Sequence, residues 1–552
     1  MEEDTKNLHP VEVLIEELKS EEVNRRVISV KTLNTIAIAL GPKLTREELL
    51  PYLLELLDDE NEVLLALAES LRYLIQSIGG RKYAYVLFDL IEQLLQIDES
   101  NIRTTTLESF KQILKQARSP YLAKAVLDLI KRLCTSDKVP AKIAAAFLIP
   151  NSLENVKDIK PYIDQFKSLM LCNHPQVRNA AGENLKALVK YEEFAAELLN
   201  IATVDQEDSV RLLALEALLI CNNVKGLITS VTALFEDDYW KVKQKIAENL
   251  ASISRFLCGK YDLMLDYFKR IVDDKEIDVR TALCNNISEV FKVVPNNMVE
   301  KFLIVLPVLG NDTLQIRIAL AQQINKIWPV TGKNQVLSML IKDLTSTYSS
   351  QISLNLIEDI HNMRDLYEDF ENTMKSQFEL LSKDKSWRVR QNFLNHFPYL
   401  VEKLGSGFFL ANLKDIFIDL TVDPAFTVRE TSSIVIIEII KNLGKDWFEK
   451  EIVNELFNLQ HSKNYICRMS YLNLAKEIFK EFIGSKTEER FEKSIFFLLG
   501  DVVANVRAYA LKALHVVYQC GSLDKQQMIK NSLSILQQDE DSEVRNLALE
   551  MF

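Results

Sequence analysis

An acidic or polar cluster followed by valine or isoleucine and then, usually, a base returns along the whole chain. It reads DQEDSVR up to Arg211, KEIDVR up to Arg280, DTLQIR up to Arg317, DPAFTVR up to Arg429, DVVANVR up to Arg507 and DEDSEVR up to Arg545. With weaker copies the marked position falls at residues 26, 64, 103, 142, 178, 211, 243, 280, 317, 353, 390, 429, 468, 507 and 545, at intervals of 32 to 39 residues. Self-similarity at a fixed period is the mark of a stacked-repeat architecture. A period of this size holds two helices and two short turns, and one such hairpin cannot bury its apolar face alone, whereas stacked neighbours share a continuous core.

Composition agrees with that reading. A chain of 552 residues with 48% apolar content exceeds what one core supports, and only 14 glycines and 13 prolines leave room for short turns alone. No Pro/Gly/Ser linker divides it, so residues 1–552 are expected to form a single solenoid rather than separate beads. The predicted fold class is all-α: an alpha-alpha superhelix of about 15 repeats, at the short end of the HEAT and armadillo range.

Two of the four tryptophans share one local setting, in DKSWRVR (Asp384 to Arg390) and DDYWKVK (Asp237 to Lys243). After the first, Val389, Phe393, Phe397, Leu400 and Leu404 lie on one face of a helix that begins at the marker. Before it, Leu366, Phe370, Met374 and Phe378 form a second helical face. Each unit therefore reads helix A, acidic turn, helix B, with both tryptophans at the turn, in repeats 7 and 11. A cation in the first turn of a helix opposes the helix dipole, so the marker arginine needs an anion. Acids just before it (Asp208, Asp278, Asp541) are placed to cap helix B, and each arginine can reach an acid of its own or the adjacent repeat. The expected result is a ladder that fixes repeat register.

The balance of 66 basic and 78 acidic residues, net -12, argues against a nucleic-acid backbone or an anionic membrane as the main partner. Seven cysteines form no C-x-x-C pair and read as small core residues in a reducing compartment. The six histidines show no metal-binding spacing, and no phosphate-binding loop or nucleophile elbow is present, so neither a metal nor a cofactor is expected, nor an enzyme. GSG at Gly405 to Gly407 reads as a helix end and turn. The acidic N-terminus lacks a secretory pattern, and Glu438 interrupts IVIIEII, so the expectation is a soluble intracellular protein.

What such a stack offers is a surface. In the last five repeats the A–B turns carry Trp387 and Arg388, then Phe426, then Tyr465, then Val503, Ala504 and Asn505, then Glu540 to Glu543. Aromatics with arginine dominate protein interfaces, but each ring could equally staple its own helix start.

DKSWRVR, AFTVRE followed by NLGKDW, NYICRM, GDVVANVR, DQEDSVRLLALEA and LLPYLLELLDDENEVLLALAESL together resemble the scaffold (A) subunits of protein phosphatase 2A, a family of fifteen-repeat HEAT proteins. The resemblance covers the whole chain. It implies a non-catalytic scaffold found in the cytoplasm and also the nucleus. Residues 366–552, repeats 11 to 15, would hold the phosphatase catalytic subunit through Trp387, Arg388, Phe426, Tyr465 and Val503. Residues 1–365, repeats 1 to 10, would receive exchangeable regulatory B-type subunits at Glu60, Glu62, Asp98, Glu99, Pro175, Arg178, Glu207, Asp208 and Trp240. Departures are visible: Asn173 and Asn179 stand where the family has an acid and a second arginine, repeats 5 to 7 are short, and repeat 10 has Ser353 at the marker. The rival is a nuclear transport receptor of HEAT or armadillo type. The armadillo form lines its groove with W-x-x-x-N pairs, whereas Gln391 and Gln244 follow these two tryptophans.

Overall fold

The computed structural model describes residues 16–550 apart from 118–119, 154–155, 157, 223–225, 333 and 359–369. The described residues form helices and turns, with no strand among them. The chain divides into two compact units, Met1–Leu283 and Cys284–Phe552, the division falling inside the helix Ile277–Val293. Within each unit, helical hairpins stack in chain order, B helix against B helix. The expected boundary between two functional arms, at residues 365 and 366, lies outside the described residues.

All fifteen marker positions fall on the fourth residue of a helix, from Arg26 in Val23–Lys31 to Arg545 in Ser542–Glu550. The acidic turn and helix B thus lie where the repeat places them. In repeat 11, helix A (Phe370–Ser382) buries Met374 and Phe378, while Leu366 of its expected face lies outside the described residues. Helix B is shorter than its apolar spacing suggests. It runs Trp387–Asn395 and stops at His396; a new helix starts at Phe397, with Pro398 in its first turn, where a missing N–H costs nothing. Gly405 breaks that second helix with φ 82°, so the GSG stretch is the turn it was expected to be. The apolar face continues across the His396 break because the rings hold it together. Phe378 stacks on Phe393 at 5.4 Å, Phe393 meets Phe397 edge-on at 5.1 Å, and each buried ring contributes about 2 kcal/mol.

Between repeats runs the ladder, in a form more specific than expected. Arg390 donates from Nε and Nη2 to both carboxylate oxygens of Asp423 in the next repeat, at 2.6 and 2.8 Å. Arg468 makes the same pair with Asp501 and Arg507 with Asp539. In the N-terminal unit the rungs are Arg26 to Asp59, Arg178 to Asp205, Arg211 to Asp237 and Lys243 to Asp274. The remaining guanidinium nitrogen turns back: Arg390 Nη1 donates to the carbonyls of Asp384 and Lys385, just past the end of its own helix A. This resolves the dipole conflict, since the cation sits at the negative end of helix A as well as in the first turn of helix B.

The accepting aspartate stands, except at Asp59, six residues before the next marker, and it also accepts its own turn's N–H two residues on, as Asp423 does from Ala425 and Asp501 from Val503. These aspartates, rather than the three acids named from sequence, carry the ladder. Of those three, Asp541 does cap its helix, accepting from Glu543 and Val544. Asp208 is itself the first helical residue of Asp208–Ile220, whose cap residue Glu207 makes no side-chain cap, and Asp278 lies inside Ile277–Val293. Where the sequence lacks the aspartate, as at Ile97, Ser136, Cys172 and Ser462, no carboxylate rung forms among the described residues.

The cysteines fit a core role with one exception. Cys221 and Cys284 are buried and four others half-buried, but Cys258 is exposed, in a left-handed turn with φ 51°. No described helix is long and apolar enough to cross a membrane.

Arg468→Ala should cost about 3 kcal/mol in urea unfolding followed by circular dichroism, because it strands the buried Asp501 carboxylate. Arg429→Ala, whose guanidinium donates to the carbonyls of Asp423 and Pro424 and has Ser462 at the acid position, should cost only about 1 kcal/mol. Equal losses would mean that the carboxylates add nothing. The hydrogen bond from Arg507 holds the Asp539 carboxyl below its ordinary value. That rung therefore stabilises the chain above the unfolded-state value near ~3.9 and fades as pH falls through the folded one. Melting curves of Arg507→Gln and the parent should differ at pH 7 and converge below about pH 4.

Candidate protein-interaction site

The residue three before each marker is the first residue of helix B, and its side chain stands at the A–B turn. In repeats 11, 12 and 13 that register holds Trp387, Phe426 and Tyr465. Phe426 is 48% and Tyr465 44% exposed, so each ring leaves about half of its surface open. Trp387 is half-buried, with the guanidinium of exposed Arg388 4.6 Å from its ring centre. Such a cation–π contact at a wet site is worth about 0.5–1 kcal/mol and holds ring and charge together as one feature. Phe426 has the Arg429 guanidinium 5.8 Å from its ring centre.

Val503 departs from this register. It is the cap residue before Ala504–Cys520, half-buried, and donates its N–H to Asp501; Ala504 holds the ring position. The exposed side chain is its neighbour Val502, at 91%. Sequence reasoning missed Val502 because the marker fixes where the helix begins but not how the turn before it points.

The first-residue register also holds Trp240 and Ile277 in the N-terminal unit. Trp240 is half-buried with Lys241 5.6 Å from its ring centre, repeating the Trp387–Arg388 arrangement, and Ile277 is 41% exposed. Ile277 was not singled out from sequence, although counting three back from Arg280 finds it.

Of the other N-terminal candidates, the structure brings Asp98, Pro175 and Glu207 together. They line one open groove of about 560 Å3 with Arg103, Val139, Pro140, Ile143, Gln176, Asn179 and Ser209. Asp98 is exposed, with one carboxylate oxygen 3.7 Å from Arg103. Asn179, one of the departures, stands in this groove and donates to Glu183. Arg178 does not face the groove; its guanidinium is engaged with Asp205 and the Cys172 carbonyl, with Glu207 3.6 Å away. Glu99 and Asp208 are half-buried at helix starts. Glu60 and Glu62 sit apart from the groove in repeat 2, both exposed, Glu60 paired with Arg26. Among the described residues no group of three or more histidines, cysteines or acids could hold a metal ion. The arrangement suits protein contact: flat rings and charges in register, over turns whose carbonyls the marker arginines hold.

No protein-family model matches the chain. Among curated proteins it is 30% identical over 274 residues to the regulatory A subunit of protein phosphatase PP2A from Saccharomyces cerevisiae, covering 45% of this chain and 43% of that one. It is 38% identical over 192 residues to the beta isoform of the 65 kDa regulatory A subunit of serine/threonine-protein phosphatase 2A from Homo sapiens, covering 34% and 31%. The matched region spans less than half the length of these relatives. Among solved structures, the karyopherin Kap121p superposes with a TM-score of 0.56 over 92% of this chain and 56% of that one, at 12% identity, a likeness that shows the fold alone. The chain has the all-α fold of the HEAT-repeat solenoids and, over a third to somewhat under half of its length, is similar to the regulatory A subunits of protein phosphatase 2A.

Proposed function

We propose that this chain is a non-catalytic scaffold subunit of a protein phosphatase 2A-type serine/threonine phosphatase. Its C-terminal turns hold the catalytic subunit through Trp387, Arg388, Phe426, Tyr465 and the Val502–Val503 turn. Its N-terminal turns, including the groove of Asp98, Pro175 and Glu207 and the Trp240 turn, receive exchangeable regulatory subunits. It works in the cytoplasm, with the nucleus as a second compartment.

The observation that carries this reading is the succession of partly open rings in one register on three consecutive repeats. A ring whose only task is to staple its helix would be covered, and these are not; rings with an adjacent arginine are the residues on which binding energy concentrates. The relatives' names supply the partner class. A scaffold of this kind acts by effective concentration: once both subunits are tethered, their encounter is intramolecular. The armadillo form of the transport-receptor alternative loses ground at Gln391, which stands where that form has asparagine and donates to Thr431 of the next repeat at 2.9 Å, so serving the stack.

Trp387→Ala should weaken binding of a protein phosphatase 2A catalytic subunit to the full chain by about 2 kcal/mol or more. Phe426→Ser and Tyr465→Ser should also weaken it while shifting stability by less than about 0.5 kcal/mol. Calorimetric titration and thermal melts on the same samples check both; full binding with lost stability would make the rings staples. A chain ending near Asp365 should not bind the catalytic subunit. If the full chain does not bind it either, the relatives mark a shared fold only, and cargo binding becomes the next test.

A further inference from the structure

Repeat 10 is unlike its neighbours, and all the residues concerned lie in the Cys284–Phe552 unit. Thr347 stands at the aspartate position and Ser353 at the marker, so the rungs to repeat 9 and to repeat 11 are both missing. On one side, Arg317 donates from Nη2 to the Leu344 carbonyl, and its buried Nε has no partner. On the other, Asp384 of repeat 11, which in other repeats would receive a guanidinium, accepts the Tyr348 hydroxyl at 2.7 Å.

Polar groups lie in other seams too, paired as Ser288 is with Gln323 and Asn473 with Ser433, and repeat 13 buries the Ser470 and Tyr471 hydroxyls without a partner; among the described residues only repeat 10 combines such orphans with the loss of both rungs. Between the B helices Leu314–Thr331 and Ser350–Ile357, Asn325 donates to the Asn355 carbonyl at 3.1 Å, but Asn325 Oδ1 and Asn355 Nδ2 are both buried without a partner. Towards repeat 11, Ser353 donates to Gln377 at 2.7 Å, both side chains buried. Missing rungs alone do not single this repeat out, since repeats 3 and 4 lack both of theirs too. There, however, the B helices meet through residues such as Ile102, Phe110, Ala145 and Leu148, all buried, and no side-chain atom from Ser100 to Leu188 is orphaned among the described residues. A buried polar atom that can bond water only when the interface parts favours the parted state, and here it coincides with the loss of both charge-assisted rungs.

We propose that repeat 10 is a hinge: the interface between Leu314–Thr331 and Ser350–Ile357 opens before any other in its unit. On it repeats 11 to 15 swing. The proposal does not depend on any partner. Local opening of this kind is read directly by amide exchange, and hinges are drawn from the low-stability interfaces of a fold.

Hydrogen–deuterium exchange with mass spectrometry on the full chain is the test. Amides of 314–331 and 350–357 are expected to exchange at least about tenfold faster than those of Phe426–Leu443, Tyr465–Ile478 and Ala504–Cys520. The double variant Thr347→Asp, Ser353→Arg offers Arg317 a carboxylate and Asp384 a guanidinium, and should slow exchange in the seam about tenfold while leaving 465–478 unchanged. Asn355→Leu, which adds no charge, should slow it as well. Equal protection of the seam and repeats 12 to 14 in the unaltered chain would overturn the proposal whatever the variants do. So would seam exchange that neither variant slows.

Discussion

Where a marker arginine meets an aspartate of the next repeat, one guanidinium does three things at once, and much of the architecture rests on that. The marker arginine closes the C-terminal end of helix A through the turn carbonyls, stands in the first turn of helix B, and reaches the aspartate of the next repeat. Only a planar group with five donors in a fixed fork can do all three. Lys243 shows the difference: its single ammonium spans to Asp274 at 3.2 Å and leaves its own turn's carbonyls alone. The aspartate is used as fully, since one carboxylate takes the incoming arginine and its own turn's N–H. Hydrophobic burial makes the repeats stack, but it is non-directional. Where they form, the rungs give the interface a single register.

The candidate ridge inherits its order from this device. Trp387, Phe426 and Tyr465 lie three residues before a marker arginine, on the turn whose carbonyls that arginine holds. In repeat 12 the turn is also held from before by Arg390 through Asp423. Repeat 13 has Ser462 in place of the aspartate, and there Asn464 takes over, its side chain accepting the Ile466 N–H at 3.0 Å. Different chemistry therefore holds two neighbouring rings in one position.

Much of this was legible because a helix start fixed by sequence leaves little freedom to the residues around it. The marker located all fifteen B helices, and the apolar spacing of Phe393, Phe397 and Leu400 located their buried face. What stayed hidden was directional. An acid cluster such as DQED offers several carboxylates, and only the packed neighbour decides that Asp205 receives Arg178 while Asp208 starts a helix. The same limit placed Val503 on the ridge when Val502 is the side chain in solvent. Periodicity also carried the repeat 11 helix through His396, where the backbone breaks while the side-chain face continues. The groove of Asp98, Pro175 and Glu207 joins residues from Asp98 to Ser209, on four successive repeats, and is visible only once three interfaces are stacked.

The ridge residues sit at the starts of B helices, while part of the variation in marker interval lies in the A helices: that of repeat 7, Ile228–Phe235, has eight residues and that of repeat 8, Tyr261–Val272, has twelve. Spacing between successive rings is then set by how closely two packed helices approach, about 10 Å, and not by how many amino acids separate them. Within the Cys284–Phe552 unit the ridge is a graduated rule whose marks keep their pitch when residues are inserted or deleted in the A helices between them. Genetic change in length can thus accumulate on the A side without misaligning a partner that reads several turns at once, whereas a deletion inside one B helix would shift every later mark.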